Sequence, residues 1–150
     1  MIKKAEISDI KAIHKLLQKY GSKGELLARP LSELYDHLRD FTVYTKNNLV
    51  IGCCSLQFCW EDLAEIRSLA VNPEHTGNRT GSRLVEAAIK EAKIYKIKKV
   101  FALTYRPGFF NRFGFIEIER SKLPLKIWTD CVLCVKFPNC DETAMMLEIK

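Results

Sequence analysis

The sequence predicts a mixed α/β (α+β) sheet in one layered domain. Three observations carry this: segments with helically spaced apolar residues alternate with short β-rich runs, one strand enters a long amphipathic helix through a glycine-bearing turn, and no linker, repeat or low-complexity tract interrupts the alternation. The 150 residues match a single domain, 1–150. A chain of that size buries roughly 68–70% of its unfolded surface without staples. A hydrophobic fraction of 47% and a mean hydropathy of -0.10 exclude wholesale disorder.

Taken in order, Ile10, Ile13, Leu17 and Tyr20 share one helical face, and Gly21 is a C-terminal stop. Leu31, Leu34, Tyr35 and Leu38 mark a short second helix entered through Pro30. Phe41 to Lys46 reads as a strand, Asn47-Asn48 as a turn and Leu49 to Trp60 as a long second strand, with Gly52 a bend or bulge. Ala64 to Val71 is the next strand, ended by Asn72-Pro73. A helix then runs from about Thr80 to Tyr95, with Leu84, Val85, Ala88, Ala92 and Tyr95 on its buried stripe. Val100 to Thr104 is a short apolar strand of the kind found centrally in a sheet, and Pro107 to Arg112 makes one or two helical turns. Phe115 to Glu119 and Thr143 to Ile149 close the sheet.

The 24 Lys and Arg exceed the 18 Asp and Glu by +6, which suits an anionic ligand without choosing among them. The longest apolar stretch, Leu49 to Leu56, is far below the roughly 18 residues a bilayer requires. The basic amino end lacks an apolar signal region, so a cytoplasmic chain with reduced thiols is the expectation for its six cysteines.

The most informative stretch runs from Leu63 to Ala92: a strand, a turn with Gly77 and Gly81, then a helix. A helix start presents unpaired N–H groups and roughly half a positive charge, and glycine lets a diphosphate approach the turn without a Cβ clash. The spacing fits neither a Walker loop nor the dinucleotide G-x-G-x-x-G. On these residues alone, an anion cradle and an ordinary strand-to-helix connection both stand.

The strand ending Ser-Leu-Ala-Val, followed by Asn-Pro, the glycine turn and a helix with Leu84, resembles motif A of the GNAT superfamily of N-acetyltransferases. FALTYRPGFFNRFGF, with its final Gly114-Phe115, resembles motif B. More narrowly, ARPLSELYDHLRDF, EIRSLAV, VFALTY and KIWTDCVLCVKFPNCDETAM resemble short free-standing relatives of N-acetylglutamate synthase. The resemblance implies a GNAT-like acyl-CoA N-acyltransferase fold and acetyl-CoA as cosubstrate. The acceptor it implies is the α-amino group of a small amino acid, glutamate or a close relative, as in arginine biosynthesis.

The same resemblance assigns roles by position. Backbone groups of Leu69, Ala70 and Val71 take the pantetheine arm, and the N–H groups of Thr76, Gly77, Asn78, Arg79, Thr80, Gly81 and Ser82 take the pyrophosphate. The family pattern has Gln or Arg first, a central Gly and a final Gly or Ala. Here Thr76 stands first, Arg79 replaces the central glycine and Gly81 is last. A side chain at position 79 must point out of the turn, or the backbone must avoid positive φ. Phe110, assigned to the cofactor site, stands where many members carry a tyrosine acid, leaving as the nearest alternative Tyr105, which reads equally as an edge aromatic with its hydroxyl in water. A thiolate leaving group of pKa about 8.5 needs little acid help near neutrality.

Attack requires a neutral amine, which an α-amino group of pKa about 7.7–8.0 supplies far better than a lysine at about 10.4. Glu65 is the candidate base. It shares a strand face with Arg67, so a structural ion pair competes with catalysis. Ser68 could polarise the amine or thioester, or simply bond backbone. Arg29, Arg67 and Lys126 are candidate cations for an acidic acceptor, against the alternative of solvated charges.

Cys131-x-x-Cys134 with Cys140, completed by Asp130 or Asp141, could hold zinc. A single C-x-x-C without a nearby histidine leaves buried packing thiols as the favoured alternative. Cys53, Cys54 and Cys59 read as packing residues, and no metal is assigned. Dispersed lysines without interleaved aromatics argue against nucleic acid. Membrane is not expected, and a homodimer is left open. Competing functions are a non-catalytic CoA-binding module and acetylation of protein lysine.

Overall fold

The computed structural model describes residues 1–21, 29–75, 79–123 and 142–149, with the side chains of Tyr20 and Gly21 outside the description. Among the described residues, strands β1 (Ile2–Lys4), β2 (Phe41–Lys46), β3 (Leu49–Trp60), β4 (Leu63–Val71), β5 (Lys99–Thr104), β6 (Ile116–Ile118) and β7 (Thr143–Glu148) form one sheet of order β1-β2-β3-β4-β5-β7-β6. β4 and β5 run parallel, and the other neighbours are antiparallel. Helix α3 (Thr80–Ile94) supplies the crossover between the parallel pair and covers one face, over Cys54, Leu56, Ala64, Ile66, Val100 and Ala102. Helices α1 (Ile10–Gly21) and α2 (Leu31–Asp36) cover part of the other, over Phe41, Val43, Cys53 and Ala70. A short helix α4 (Pro107–Asn111) links β5 to β6. No described helix is long and apolar enough to cross a membrane.

Local chemistry explains most boundaries. Asn47 and Asn48 both hold positive φ, 53° and 63°, the pairing a tight two-residue hairpin needs. β1 has no counterpart in the sequence reading: three residues with two lysines carry no usable period, and pairing with Val43 and its neighbours creates the strand. Tyr95 is a correction. The helix ends at Ile94, and Lys96 turns left-handed at φ 61°. The Ile97 N–H closes the end on the Ala92 carbonyl at 2.9 Å. Ile97 is therefore buried, while Tyr95 is 60% exposed against Phe58.

Gly52 is next to a bulge: Tyr44 opposes Gly52 but Thr45 opposes Val50, so Ile51 is the extra residue. The glycine is required by the first turns of α3. A Cβ there would lie 2.9 Å from Leu84 Cδ1 and 3.1 Å from Thr80 Cγ2, both on fully buried side chains. Gly52→Ala is expected to lose about 1–3 kcal/mol in urea unfolding. A variant with an unchanged midpoint would show that α3 yields freely.

Cys53, Cys54 and Cys59 are buried in the sheet, as the packing reading requires. Burial pushes the Cys53 thiol up to about 12 and raises Cys54 as well, which disfavours the reactive thiolate at both.

Candidate functional site

The site begins where two parallel strands part. β4 pairs with β5 only from Leu63↔Lys99 to Glu65↔Phe101. Beyond that point β4 keeps its β3 partners up to Val71↔Gly52, and β5 keeps β7 up to Thr104↔Thr143. The strands therefore diverge, leaving a wedge between them. A bulge accompanies the divergence: Ala70 opposes Cys53 but Arg67 opposes Ser55, so Ser68 and Leu69 together face Cys54.

Ser68 holds the bulge at φ 53°, in the left-handed region. That conformation costs a non-glycine residue roughly 1–2 kcal/mol and must be held by its surroundings. Arg29 Nη1 donates to Ser68 Oγ at 3.0 Å, and Cys53 Sγ donates to the Ser68 carbonyl at 3.4 Å. A hydrogen bond from a charged donor contributes about 1.5–3 kcal/mol, enough to offset the strain. Beyond the bulge, Leu69 and Val71 lie against the α3 side and Ala70 against the α1 side.

At the mouth of α3, Arg79 is left-handed at φ 60° with its side chain 75% exposed, Nη2 lying 3.8 Å from Glu86 Oε1. Of the two alternatives, this chain keeps the backbone shape that glycine favours and sends the guanidinium into water. Thr80 and Ser82 are buried, and Gly81 faces the Phe109 ring. Arg112, which the sequence reading missed, donates to Ser82 Oγ at 3.4 Å and lies over the Phe109 ring. Arg79, Ser82, Glu86, Arg112 and Phe113 line a recess beside the first turn. Arg112 carries no distinguishing spacing in the sequence; only the fold returns it to α3. Thr76, Gly77 and Asn78 lie outside the described residues.

On the α1 side of the bulge stands Arg29, whose side chain is 1% exposed. The solvated-charge alternative is corrected at this position. Nε donates to Glu33 Oε1 at 3.0 Å, Nη1 donates to Ser68, and the guanidinium lies 5.2 Å over the Phe41 ring. Nη2 is buried with no hydrogen-bond partner among the described residues. Burial lowers the Arg29 pKa first and nearby Arg67 second, with Glu33 opposing both. A buried cation with an unfilled donor is a place for an anion.

Arg67 bridges two neighbours, Nη1 to Gln57 Oε1 at 3.0 Å and Nε to Glu65 Oε1 at 3.8 Å. The predicted Glu65–Arg67 ion pair therefore exists, and Glu65 is buried. Ser55, paired across the sheet with Phe41 and Arg67, buries a hydroxyl that also lacks a partner among the described residues. Tyr105 is half-buried at the bend after β5. Phe110, assigned to the cofactor site by the resemblance, is 4% exposed and edge-on to Phe109 and Phe115 at 5.2 Å. Lys126, Cys131, Cys134 and Cys140 lie outside the described residues, among which no metal-ligand group occurs.

The family model for acetyltransferases (GNAT) matches residues 10–115. An uncharacterized N-acetyltransferase of Chlorobaculum tepidum is 41% identical over 145 residues, 97% of this chain and 94% of that protein. An amino-acid acetyltransferase of Mycobacterium tuberculosis is 35% identical over 133 residues, 87% of this chain and 76% of that one. Among solved structures, a Mycobacterium tuberculosis protein in complex with CoA is similar at TM-score 0.85 and 30% identity, covering 100% of this chain and 99% of that one. N-acetylglutamate synthase from Neisseria gonorrhoeae, complexed with coenzyme A and N-acetyl-glutamate, is similar at TM-score 0.91 and 26% identity, covering 100% of this chain and 35% of that one.

Proposed function

This chain belongs to the GNAT acetyltransferase family, and from that premise we propose that it moves the acetyl group of acetyl-CoA to the α-amino group of glutamate or a close relative. The buried, unfilled Nη2 of Arg29 carries the acceptor assignment. A carboxylate placed there gains a charge-assisted bond in a dry environment, and the neighbouring Arg67 adds positive potential. Relatives named amino-acid acetyltransferase, and a synthase solved with N-acetyl-glutamate, support the same choice. A chain of this type belongs in arginine biosynthesis in the cytoplasm.

The residues fit a CoA thioester. The β4–β5 wedge offers a strand edge for an extended arm, and the α3 start, with Thr80, Gly81 and Ser82, offers N–H groups to a diphosphate. Bound acetyl-CoA supplies the activated acyl carbon. Glu65 accepts the proton that the amine loses, directly or through water, as the C–N bond forms and the C–S bond breaks. Ser68 Oγ accepts from Arg29 and so ties that cation to β4. We assign to Tyr105, at the bend after β5, the return of a proton to the leaving thiolate, a modest contribution given that thiol's low pKa.

A thiol-release assay with acetyl-CoA against every amino acid and a lysine-bearing peptide tests this reading. L-Glutamate is expected to lead alanine by about a hundredfold in kcat/KM, the value of one or two charge-assisted bonds. Preference for the peptide, or silence across the amino acids, overturns the assignment.

A further inference from the structure

Ser68 joins two parts of the site that would otherwise be independent. Its hydroxyl is the anchor of the buried Arg29, and its left-handed backbone is the first residue of the bulge preceding Leu69–Val71. An L-residue leaves that conformation readily unless held, and glycine alone adopts it without strain. Relaxation to extended backbone would remove the extra residue, shift residues 69–71 by one position against β3 and turn their side chains to the opposite faces. The strand edge at the wedge would then be lost.

We propose that Ser68 is a positioning residue through which Arg29, the acceptor's cation, holds the β4 bulge that shapes the thioester-binding edge. The inference rests on the acetyl-transfer reading and adds a residue-level coupling between its two substrates. Arg29 is itself fixed from three directions, by Glu33, Ser68 and the Phe41 ring, so its grip on the serine is rigid. An acceptor carboxylate engaging Nη2 draws on the same guanidinium, and occupancy of one site stiffens the other.

Calorimetric titration with CoA, without acceptor, decides the matter. Ser68→Ala keeps a Cβ but loses the anchor, and is expected to weaken CoA at least fivefold. Ser68→Gly loses the same hydroxyl but keeps left-handed backbone freely, and is expected to bind CoA within twofold of the parent. Arg29→Lys should weaken CoA severalfold in the parent and not at all in the Ser68→Gly background. That cycle also decides the question if Ser68→Ala fails to fold. Equal CoA losses in Ser68→Ala and Ser68→Gly, no loss in either, or an Arg29→Lys effect unchanged by glycine would overturn the proposal. Failure of L-glutamate as acceptor removes the substrate assignment and leaves this comparison intact.

Discussion

Arg29→Lys is expected to raise the KM for L-glutamate by about a hundredfold, far more than it weakens acetyl-CoA. The guanidinium is buried to 1% side-chain exposure and uses Nε on Glu33 and Nη1 on Ser68, leaving Nη2 for a ligand. A lysine keeps the charge but presents a single nitrogen, which cannot satisfy Glu33, Ser68 and a carboxylate with the same fork geometry. Loss of a charge-assisted bond, with its carboxylate left partly desolvated, costs about 1.5–3 kcal/mol, or roughly ten- to a hundredfold at 1.4 kcal/mol per decade. The upper end applies because the site is dry. Steady-state kinetics with each substrate varied in turn, beside urea unfolding of both proteins, separates this from general destabilisation. If both KM values rise together in proportion to lost stability, Arg29 is a structural cation and the acceptor site lies elsewhere.

The sequence made the elements legible wherever a local period or turn chemistry decided them. The Asn47-Asn48 hairpin, the α3 stripe through Ala92, and the strand–turn–helix from β4 into α3 are of this kind. β1 was not, because three residues gain their strand character only from β2. The helix-end exchange of Ile97 for Tyr95 was hidden too, since a left-handed lysine supplied the turn where glycine is the usual signal. In the site, resemblance named Arg29, Glu65, Arg67 and Ser68, and the fold showed how three of them differ in kind. Arg29 is dry and incompletely satisfied, Ser68 is strained, and Arg67 is tied to Gln57 and Glu65. None of those conditions is a property of one residue's neighbours in the chain. Those of Ser68 and Arg67 arise from register across β3 and β4, which a one-residue slip would abolish, and that of Arg29 from its packing between α2, Phe41 and β4.

Glu65→Gln tests whether the ion pair or the proton transfer is what the carboxylate is for. The amide keeps an oxygen for Arg67 and nearly the same volume in a buried position, so the fold is expected to persist. If Glu65 is the base, kcat falls about 10²–10³-fold with little change in either KM, the range a positioned base contributes. The residual rate should then climb about tenfold per pH unit up to the amine's own pKa, because only amine already neutral in solution reacts. Arg67→Met provides the contrast. It removes the 3.8 Å pairing but leaves the carboxylate, so kcat should stay within about tenfold of the parent if proton transfer is the role. If the pairing is the role, the two variants lose stability and activity alike, and the pH profile of Glu65→Gln remains that of the parent. The comparison must include acetyl-CoA KM, since Glu65 is also the last β4 residue paired with β5. A rise there without a kcat loss would place Glu65 at the hinge of the wedge and return the proton to solvent.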